Sequence, residues 1–325
     1  MVQKAGGLVY RLGCDRAKDM EPVFDKDIRR AIRVSLARES YAQGTVRIAR
    51  NDLRDYWWMV TTHRGLFAVS PDGIELVSHG WFFGIERHEN HIYLYENCGL
   101  RDRTTNMGRI IRLHWDDGQL SDPRVLVTGL HGNAHQLKVI DRLLCLVDTA
   151  NQCILRFTLD GERFDARKPL PVAPSSDTSG AYHHINSLAD VDGRIALLLH
   201  NGKAPSPRKS ELVWLNRDWK VATRQFIDGY MCHDIVTDGE GTLWHCASAS
   251  GEVINGLGQR LKVSDSLMTR ALAFCRDHLL VGLSSFGERQ IRDGLAGEVA
   301  VLDRAGKERV RFELPAGPAD AVALF

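Results

Sequence analysis

Three histidines recur at equal spacing along this chain. His135, His184 and His233 are separated by 49 residues and then by 49 again, and each opens a short apolar run. In a radially repeated fold, matching positions of neighbouring units face a shared axis, so the spacing predicts that the three imidazoles converge. Convergent neutral imidazoles are common ligands of transition metals. The sequence therefore predicts a metal site held by one histidine from each of three successive units.

Other residues in the same repeated pattern complete the predicted site. Asp320 is a candidate fourth ligand, and Glu252, Glu298 and Asp148 are candidate acceptors or general bases beside the metal. Arg270 either binds a substrate carboxylate or pairs with Asp320. Three histidines and one carboxylate, with a position left open for substrate or water, suit Fe, Mn, Zn or Cu better than Mg or Ca.

Two further histidines are candidates for moving a proton in this site. His200 and His245 stand at the ends of predicted strands, behind the ring of periodic residues. A histidine at a strand end is more often an ordinary polar cap than a functional group. We nevertheless include both with Glu252 and Arg270 as catalytic candidates, because the ends of these strands share one face with the three predicted ligands.

The chain around these residues has the pattern of an all-β protein. Short apolar runs bounded by Asp-Gly turns occupy residues 92–95, 143–147, 195–199, 243–246 and 279–283. Laid over one another, the runs define a unit of four strands, whose five best copies open near Phe83, His135, His184, His233 and Arg270. A sixth copy fits residues 46–77. Four-stranded repeats of about 40 to 50 residues predict a β-propeller that spans residues 1–325 as a single domain.

The number of blades depends on the two ends of the chain. Residues 319–325 have the pattern of an inner strand, while residues 7–12 and 32–36 fit a third and a fourth strand. Together they predict a closing blade to which the segment 1–44 contributes, which gives seven blades. A helix over residues 27–39, capped by Asp27, is the alternative reading of that segment. Seven blades is the preferred prediction and six is the alternative.

One turn motif resembles a known group of propellers. Residues 147–154, VDTANQCI, resemble the D-T-x-N-x-x-I turn of NHL repeats, and the layout resembles the NHL, SMP-30 and streptogramin-lyase group. Streptogramin lyase places axial histidines beside a divalent metal, so this resemblance implies lyase or hydrolase chemistry. Carotenoid oxygenases hold an axial iron through histidines alone, but this chain lacks a clear fourth axial histidine.

Composition limits the partners. Hydrophobic residues make up 44% of the chain, charged residues 26%, and the formal net charge is +1, so neither nucleic acid nor a membrane is expected as a partner. Basic residues are concentrated in the predicted loops on the histidine face: Arg101, Arg103, Lys203, Arg208, Lys209, Arg289 and Arg292. They favour a small anionic substrate, in particular one that carries a carboxylate.

Cysteines and the N-terminus indicate the compartment. The seven cysteines form no CxxC pair, as expected of buried thiols in an intracellular protein. Arg11 interrupts the short apolar run before Cys14, and no stretch approaches the roughly 18 apolar residues of a spanning helix. We therefore expect a cytoplasmic protein.

Three functions follow from these observations. The first is a metal-dependent lyase or hydrolase that acts on a small anionic molecule at the mouth of the propeller channel. The second is a mononuclear iron or copper oxygenase at the same site. The third is a non-catalytic propeller that binds a protein or ligand. In the third case the histidines are structural, as in WD-type propellers, whose recurring histidine hydrogen-bonds within its own blade.

Overall fold

The chain folds into a β-propeller of six four-stranded antiparallel blades. The computed structural model describes residues 2–5, 8–11, 23–100, 105–173, 182–201, 208–287 and 295–325. The all-β propeller that the sequence predicts is confirmed. The preference for seven blades is wrong and the alternative of six is correct, because the two ends of the chain do not form a separate blade.

Five blades each consist of four consecutive strands, ordered from the axis outward. Blades 2 to 4 contain β6 (Phe82–His88), β7 (His91–Asn97), β8 (Gly108–Asp116), β9 (Gln119–Leu130), β10 (Leu137–Ile140), β11 (Leu143–Asp148), β12 (Cys153–Thr158), β13 (Arg163–Arg167), β14 (Ile185–Val191), β15 (Arg194–Leu199), β16 (Lys209–Leu215) and β17 (Val221–Tyr230). Blades 5 and 6 contain β18 (His233–Thr237), β19 (Leu243–Ala247), β20 (Glu252–Asn255), β21 (Arg260–Lys262), β22 (Leu267–Cys275), β23 (His278–Ser285), β24 (Gly297–Asp303) and β25 (Glu308–Leu314). A short 3-10 helix, Ser248–Ser250, follows β19.

Blade 1 closes the ring with strands from distant parts of the chain. Its outer three strands are β3 (Trp58–Thr62), β4 (Gly65–Ser70) and β5 (Gly73–Ser78), and its inner strand is β26 (Pro318–Ala323). The sequence correctly predicts an inner strand in residues 319–325, but it assigns that strand to a separate closing blade and begins the sixth unit near Val46. Val46 and Ile48 instead pack against the apolar core between blades 1 and 2.

The described residues of the segment 1–44 lie outside the blades. Strands β1 (Val2–Ala5) and β2 (Leu8–Arg11) pair with each other in a separate two-stranded sheet. Helix α1 (Val23–Gln43) covers residues 32–36, so the helical reading of this region is correct and its assignment as a blade strand is wrong. The apolar residues Ile28, Ile32 and Leu36 recur every four residues, which matches the helical period rather than the strand period.

A buried ion pair fixes the end of helix α1 to blade 2. Arg109 Nε donates to Glu96 Oε2 at 2.8 Å, and the two side chains are only 2% and 7% exposed. Arg109 Nη1 and Nη2 donate to the carbonyl and the hydroxyl oxygen of Ser40, each at 3.1 Å. The Tyr41 hydroxyl donates to the Asn106 carbonyl oxygen at 3.2 Å, so the helix ends against the loop that joins β7 to β8.

The core lies between the blades. One apolar cluster joins Val147 and Ile154 of blade 3 to Leu188 and Leu197 of blade 4. Because both faces of a blade are covered by its neighbours, second strands such as β11 (LLCLVD) and β15 (RIALLL) are nearly continuous apolar runs rather than alternating ones. The outer strand β17, by contrast, is mostly exposed.

Hydroxyl groups near the mouth join neighbouring blades. Thr149 Oγ1 donates to the Ile185 carbonyl oxygen at 2.8 Å, and Ser284 Oγ donates to the Pro318 carbonyl oxygen at 3.2 Å. Each bond satisfies a carbonyl at the start of the next inner strand, so the ring is held by polar as well as apolar contacts.

Among the described residues, no helix is long and apolar enough to cross a membrane.

Replacing Arg109 with methionine is expected to destabilise the protein. The substitution leaves the buried Glu96 carboxylate without its partner, and breaking a buried ion pair from one side costs about 3–5 kcal/mol. The free energy of unfolding from urea titrations measures the loss. The double variant Glu96→Gln, Arg109→Met removes both charges and should regain most of that loss. An equal loss in both variants would contradict an ionic contribution.

Candidate functional site

Register shifts at one end of the inner strands shape the mouth of the channel. Five of the six inner strands contain one: β6, β14, β18, β22 and β26. A β-bulge disrupts strict alternation and re-aims a side chain, so neighbouring residues can face the same side. One residue at each shift lines a single cavity on the axis: Phe83, Asn186, Asp234, Arg270 and Ala319.

Two residues at this mouth have a left-handed backbone. His184 has a φ of 50° and Asp234 has a φ of 44°. Histidine and aspartate reach this region more easily than most residues, but single residues held there are still strained and recur at functional sites. At the mouth, therefore, the backbone departs from regular strand geometry at residues whose side chains belong to the candidate site.

The cavity combines predicted and unpredicted residues. Its free space, including the open mouth, is about 280 Å³. Of the predicted site residues, His135, His233, Arg270 and Asp320 line it. The sequence analysis missed Gln136, Asn186, Ser187 and Asp234, which also line it. In the sequence, these polar residues lie directly beside or just after each periodic histidine. Strict strand alternation predicts that a residue next to such a histidine points away from the axis.

Four imidazole rings form a row along this mouth. The ring centroids of His135 and His184 are 5.3 Å apart, those of His184 and His200 are 4.6 Å apart, and those of His200 and His233 are 4.8 Å apart. Phe83 continues the row at 5.8 Å from His135. We call His135, His184, His200 and His233 the histidine row. The structure thus brings the three periodic histidines together and places His200 between two of them.

The protonation of His233 follows from its hydrogen bonds. Ser248 Oγ donates to the Thr269 carbonyl oxygen at 2.5 Å, so its only proton is used. His233 Nδ1 lies 2.9 Å from the same Oγ and must therefore donate to it, which assigns the lone pair to Nε2. Burial, the charge of Arg270 and the neighbouring histidines hold the pKa of His233 well below its usual range. His233 is thus a neutral imidazole whose Nε2 carries the lone pair.

Polar side chains of alternate blades hold the backbone of the next blade. Asp320 Oδ2 of blade 1 accepts a hydrogen bond from the Ile85 amide of blade 2 at 3.1 Å. Gln136 Oε1 of blade 3 accepts one from the Leu188 amide of blade 4 at 2.6 Å. In the same way, Asp234 Oδ2 of blade 5 accepts a bond from the Leu272 amide of blade 6 at 2.7 Å. These three bonds give the mouth a threefold pattern.

The two carboxyl groups of this pattern are shifted toward the neutral form. Burial raises the pKa of Asp234 to about 6, against the opposing charge of Lys138. Burial and the nearby Asp234 raise the pKa of Asp320 well above its usual range. The second oxygen of Asp320 accepts the Ala321 amide at 2.9 Å, and that of Asp234 accepts Gln136 Nε2 at 2.8 Å. Asp320, the predicted fourth ligand, therefore bonds to backbone amides through both oxygens.

Glu252 and His245 do not join this site. The Glu252 carboxylate binds Arg260 Nη2 at 2.7 Å and Ser250 Oγ at 2.6 Å, and these bonds lower its pKa. His245 Nε2 donates to the Asp228 carbonyl oxygen at 2.8 Å, and burial lowers its pKa. Neither residue lines the cavity, so the structure does not bring these two catalytic candidates together with the histidine row.

The remaining candidates are also engaged elsewhere. Glu298 pairs with Arg311 Nη1 at 2.7 Å, and Asp148 holds Asn151 in the turn between β11 and β12. Of the predicted basic lid, Arg208 and Lys209 are described and bind Asn201 and Asp228, respectively. Five basic residues of that lid lie outside the described residues: Arg101, Arg103, Lys203, Arg289 and Arg292.

The donor atoms of the histidine row are neighbours but do not already surround one point. In the part of the chain that the structure describes, no group of three or more His, Cys, Asp or Glu side chains is arranged to hold a metal ion. Metal binding by the row would thus require its imidazoles to rotate. The predicted ligand set stays a prediction.

Comparisons with known proteins find the fold alone. No protein-family model matches the chain, and no curated protein matches it. A chain of a nidogen–laminin complex is 11% identical with a TM-score of 0.55, covering 83% of this chain and 98% of that one. A protein of unknown function from Bacteroides caccae is 9% identical with a TM-score of 0.53, over 83% and 98% of the two chains. A quinonprotein alcohol dehydrogenase-like protein from Bacteroides thetaiotaomicron is 9% identical with a TM-score of 0.47, over 85% and 80%.

The fold and these likenesses define the class of protein as a β-propeller. The architecture implied by the resemblance to NHL and SMP-30-type propellers is confirmed at the level of the fold.

The buried His245 is expected to make the protein sensitive to acid. Its folded-state pKa lies below that of an exposed histidine, so the unfolded chain binds the proton more readily. The free energy of unfolding should therefore fall as the pH drops below about 6.5, the ordinary pKa of histidine. Urea titrations from pH 7.5 to pH 5 should show a smaller fall in His245→Gln, whose amide can still donate to Asp228. Equal falls in both proteins would contradict this assignment.

Proposed function

We propose that this protein is a metal-dependent enzyme of the lyase or hydrolase type. The cavity at the channel mouth is its active site, the histidine row binds a divalent transition metal, and Arg270 binds the anionic group of a small organic substrate. The observation that carries the proposal is the row itself, in which four imidazoles lie side by side and two of them, His135 and His233, line the cavity.

The spacing of the row fits a shared ion. Two imidazoles on one tetrahedral ion, with metal–nitrogen bonds of about 2.0–2.1 Å, have ring centroids roughly 5 Å apart. The separations of 4.6 to 5.3 Å between consecutive rings bracket that value, and in this proposal rotation about side-chain bonds aims the nitrogens of neighbouring rings at one ion. The bond from His233 Nδ1 to Ser248 supports the same role, because a hydrogen bond on the far nitrogen orients a ligating imidazole.

In this proposal, the metal and Arg270 have different roles. A divalent metal here would polarise a carbonyl or lower the pKa of a bound water. Arg270 supplies a guanidinium that can hold a carboxylate in a fixed orientation. Glu252 and His245 have no part in this proposal, since their polar atoms are bound elsewhere.

One observation favours the oxygenase alternative. The sequence lacks a clear fourth axial histidine, but His200 lies between His184 and His233 at 4.6 and 4.8 Å. A metal with four imidazole ligands and no carboxylate suits a redox ion such as iron. Oxygen uptake by the Fe(II)-loaded protein, compared with ester hydrolysis by the Zn(II)-loaded protein, distinguishes the two activities.

Metal binding tests the proposal directly. Protein purified without a His tag, stripped and reloaded with Zn(II), Mn(II), Fe(II) or Cu(II), is expected to retain about one ion per chain of its preferred metal by mass spectrometry. His184→Ala and His233→Ala should weaken binding by more than the roughly 10–100-fold that loss of an outer partner costs. His245→Gln is the matched control, since it alters a buried histidine outside the row, and it should bind normally. Sub-stoichiometric metal that is unchanged in the two row variants would sink the proposal and favour a non-catalytic binding propeller.

Ser248 provides a finer test of the same site. Ser248→Ala removes the oxygen that accepts the His233 Nδ1 proton, so the imidazole loses its fixed orientation. Metal affinity is expected to fall by about 10–100-fold while all four imidazoles remain. Circular dichroism should show that the variant is folded. Unchanged affinity in the folded variant would mean that His233 does not ligate the ion through Nε2.

A further inference from the structure

The cavity contains a buried amide that lacks a hydrogen-bond acceptor. Asn186 is 3% exposed, and its Oδ1 accepts a hydrogen bond from Ser187 Oγ at 2.7 Å. Its Nδ2 donates to no atom of the described residues. Leaving a buried amide donor unbonded costs free energy, and native proteins keep few such groups. An acceptor that belongs to another molecule would account for this one.

The backbone places that amide at the cavity. In the pairing of β14 with β15, Ile185 lies opposite Leu199 and Ser187 lies opposite Leu198, so Asn186 is the extra residue of a β-bulge. The bulge breaks the alternation that would otherwise turn the side chain toward a neighbouring blade, and Asn186 lines the cavity instead. Arg270 is the extra residue of the corresponding bulge in β22, and it lines the same cavity.

The other amide in this wall is already used. Gln136 accepts the Leu188 amide through Oε1 and donates to Asp234 through Nε2. The cavity thus offers a ligand one uncommitted amide donor, Asn186 Nδ2, together with the guanidinium of Arg270. A ligand that uses both must present oxygen acceptors.

We propose that Asn186 Nδ2 and Arg270 together bind a carboxylate of the substrate, which makes Asn186 a specificity-determining residue of the site. This inference deepens the proposed function, because it concerns the same cavity. The carboxylate is favoured over a dianionic phosphate because, among the described residues that line the cavity, Arg270 is the one lysine or arginine, and its single charge matches one negative charge on the ligand. A planar carboxylate also offers two oxygens, one for each donor.

Binding of small probes tests the proposal. Pyruvate and acetate are titrated into the metal-free protein by calorimetry, with acetamide and inorganic phosphate as the uncharged and dianionic comparisons. The wild type is expected to bind the carboxylates at least about tenfold more tightly than either comparison, and Asn186→Ala to lose about tenfold or more of that affinity, which corresponds to about 1.4 kcal/mol. Carboxylates that bind no better than acetamide, phosphate that binds as tightly as the carboxylates, or equal affinity in Asn186→Ala would overturn the proposal.

A second asparagine gives the matched control. Asn255 is also buried, but its Nδ2 donates to Gln259 Oε1 at 3.2 Å and its Oδ1 accepts two backbone amides of a turn outside the cavity. Asn255→Ala should lower the melting temperature and leave carboxylate affinity unchanged. Asn186→Ala should lower the carboxylate affinity and leave the melting temperature unchanged, because the substitution removes a donor that has no hydrogen bond within the protein. A melting temperature that falls as far in Asn186→Ala as in Asn255→Ala would contradict the binding role.

The metal measurements separate this inference from the proposed function. Asn186→Ala keeps all four imidazoles, so its metal content is expected to equal that of the wild type. If the wild type binds no metal but binds carboxylates more tightly than Asn186→Ala does, the enzyme proposal fails and the carboxylate site stands. If metal binds and Asn186→Ala has no effect on the carboxylates, the carboxylate site fails alone.

Discussion

The inner strands of this propeller meet two conflicting demands, and the register shifts at their mouth ends reconcile them. A blade is covered on both faces, so its inner strand must bury apolar side chains such as Leu188 and Leu272 against the neighbouring blades. A polar cavity needs the same strands to present histidine, arginine, asparagine and carboxylate groups to the axis. The extra residue of a bulge allows neighbouring side chains to face one side without moving the apolar residues that follow. Asn186, Asp234 and Arg270 all depend on this device.

The same residues also join the blades, so the site and the scaffold are not separable. Asp234, Asp320 and Gln136 each accept a backbone amide of the next blade while lining the cavity. Ser248, which holds His233, also donates to the Thr269 carbonyl oxygen in the inner strand of the next blade. Such double use fixes the orientation of the functional groups, because a side chain that is hydrogen-bonded to two blades cannot turn freely.

The repeated strands can be recognised in the sequence, but the pairing of strands that closes the ring cannot. The second and third strands of each blade are visible as apolar runs with Asp-Gly turns, because their pairing is local. The pairing of β26 with β3 joins residues more than 250 positions apart, and no local pattern specifies which strand receives the last one. Residues 32–36 are apolar at positions that fit a short strand, and only the four-residue spacing that begins at Ile28 distinguishes the helix.

The residues of the site, too, could be predicted from the sequence only in part. Equal spacing identifies His135, His184 and His233, because corresponding positions of successive blades meet at the axis. His200 joins them through the end of a second strand, which spacing does not report. Asn186 and Asp234 are missed because a bulge cannot be read from alternation. Glu252 and His245 were placed near the mouth by strand position alone, but each has a nearer partner, Arg260 and the Asp228 carbonyl.

The pairing of β26 with β3 also sets the order of events during synthesis. Thr61 and Asp320, which are hydrogen-bonded in the finished ring, are 259 residues apart. At about 5–20 residues per second, a ribosome needs roughly 13–50 s to make the chain between them. Throughout that interval β3 has an unpaired edge, and the first blade is one strand short. An exposed edge of this kind is open to pairing with other chains. The nascent protein therefore has a defined period of vulnerability that ends only when its last strand arrives.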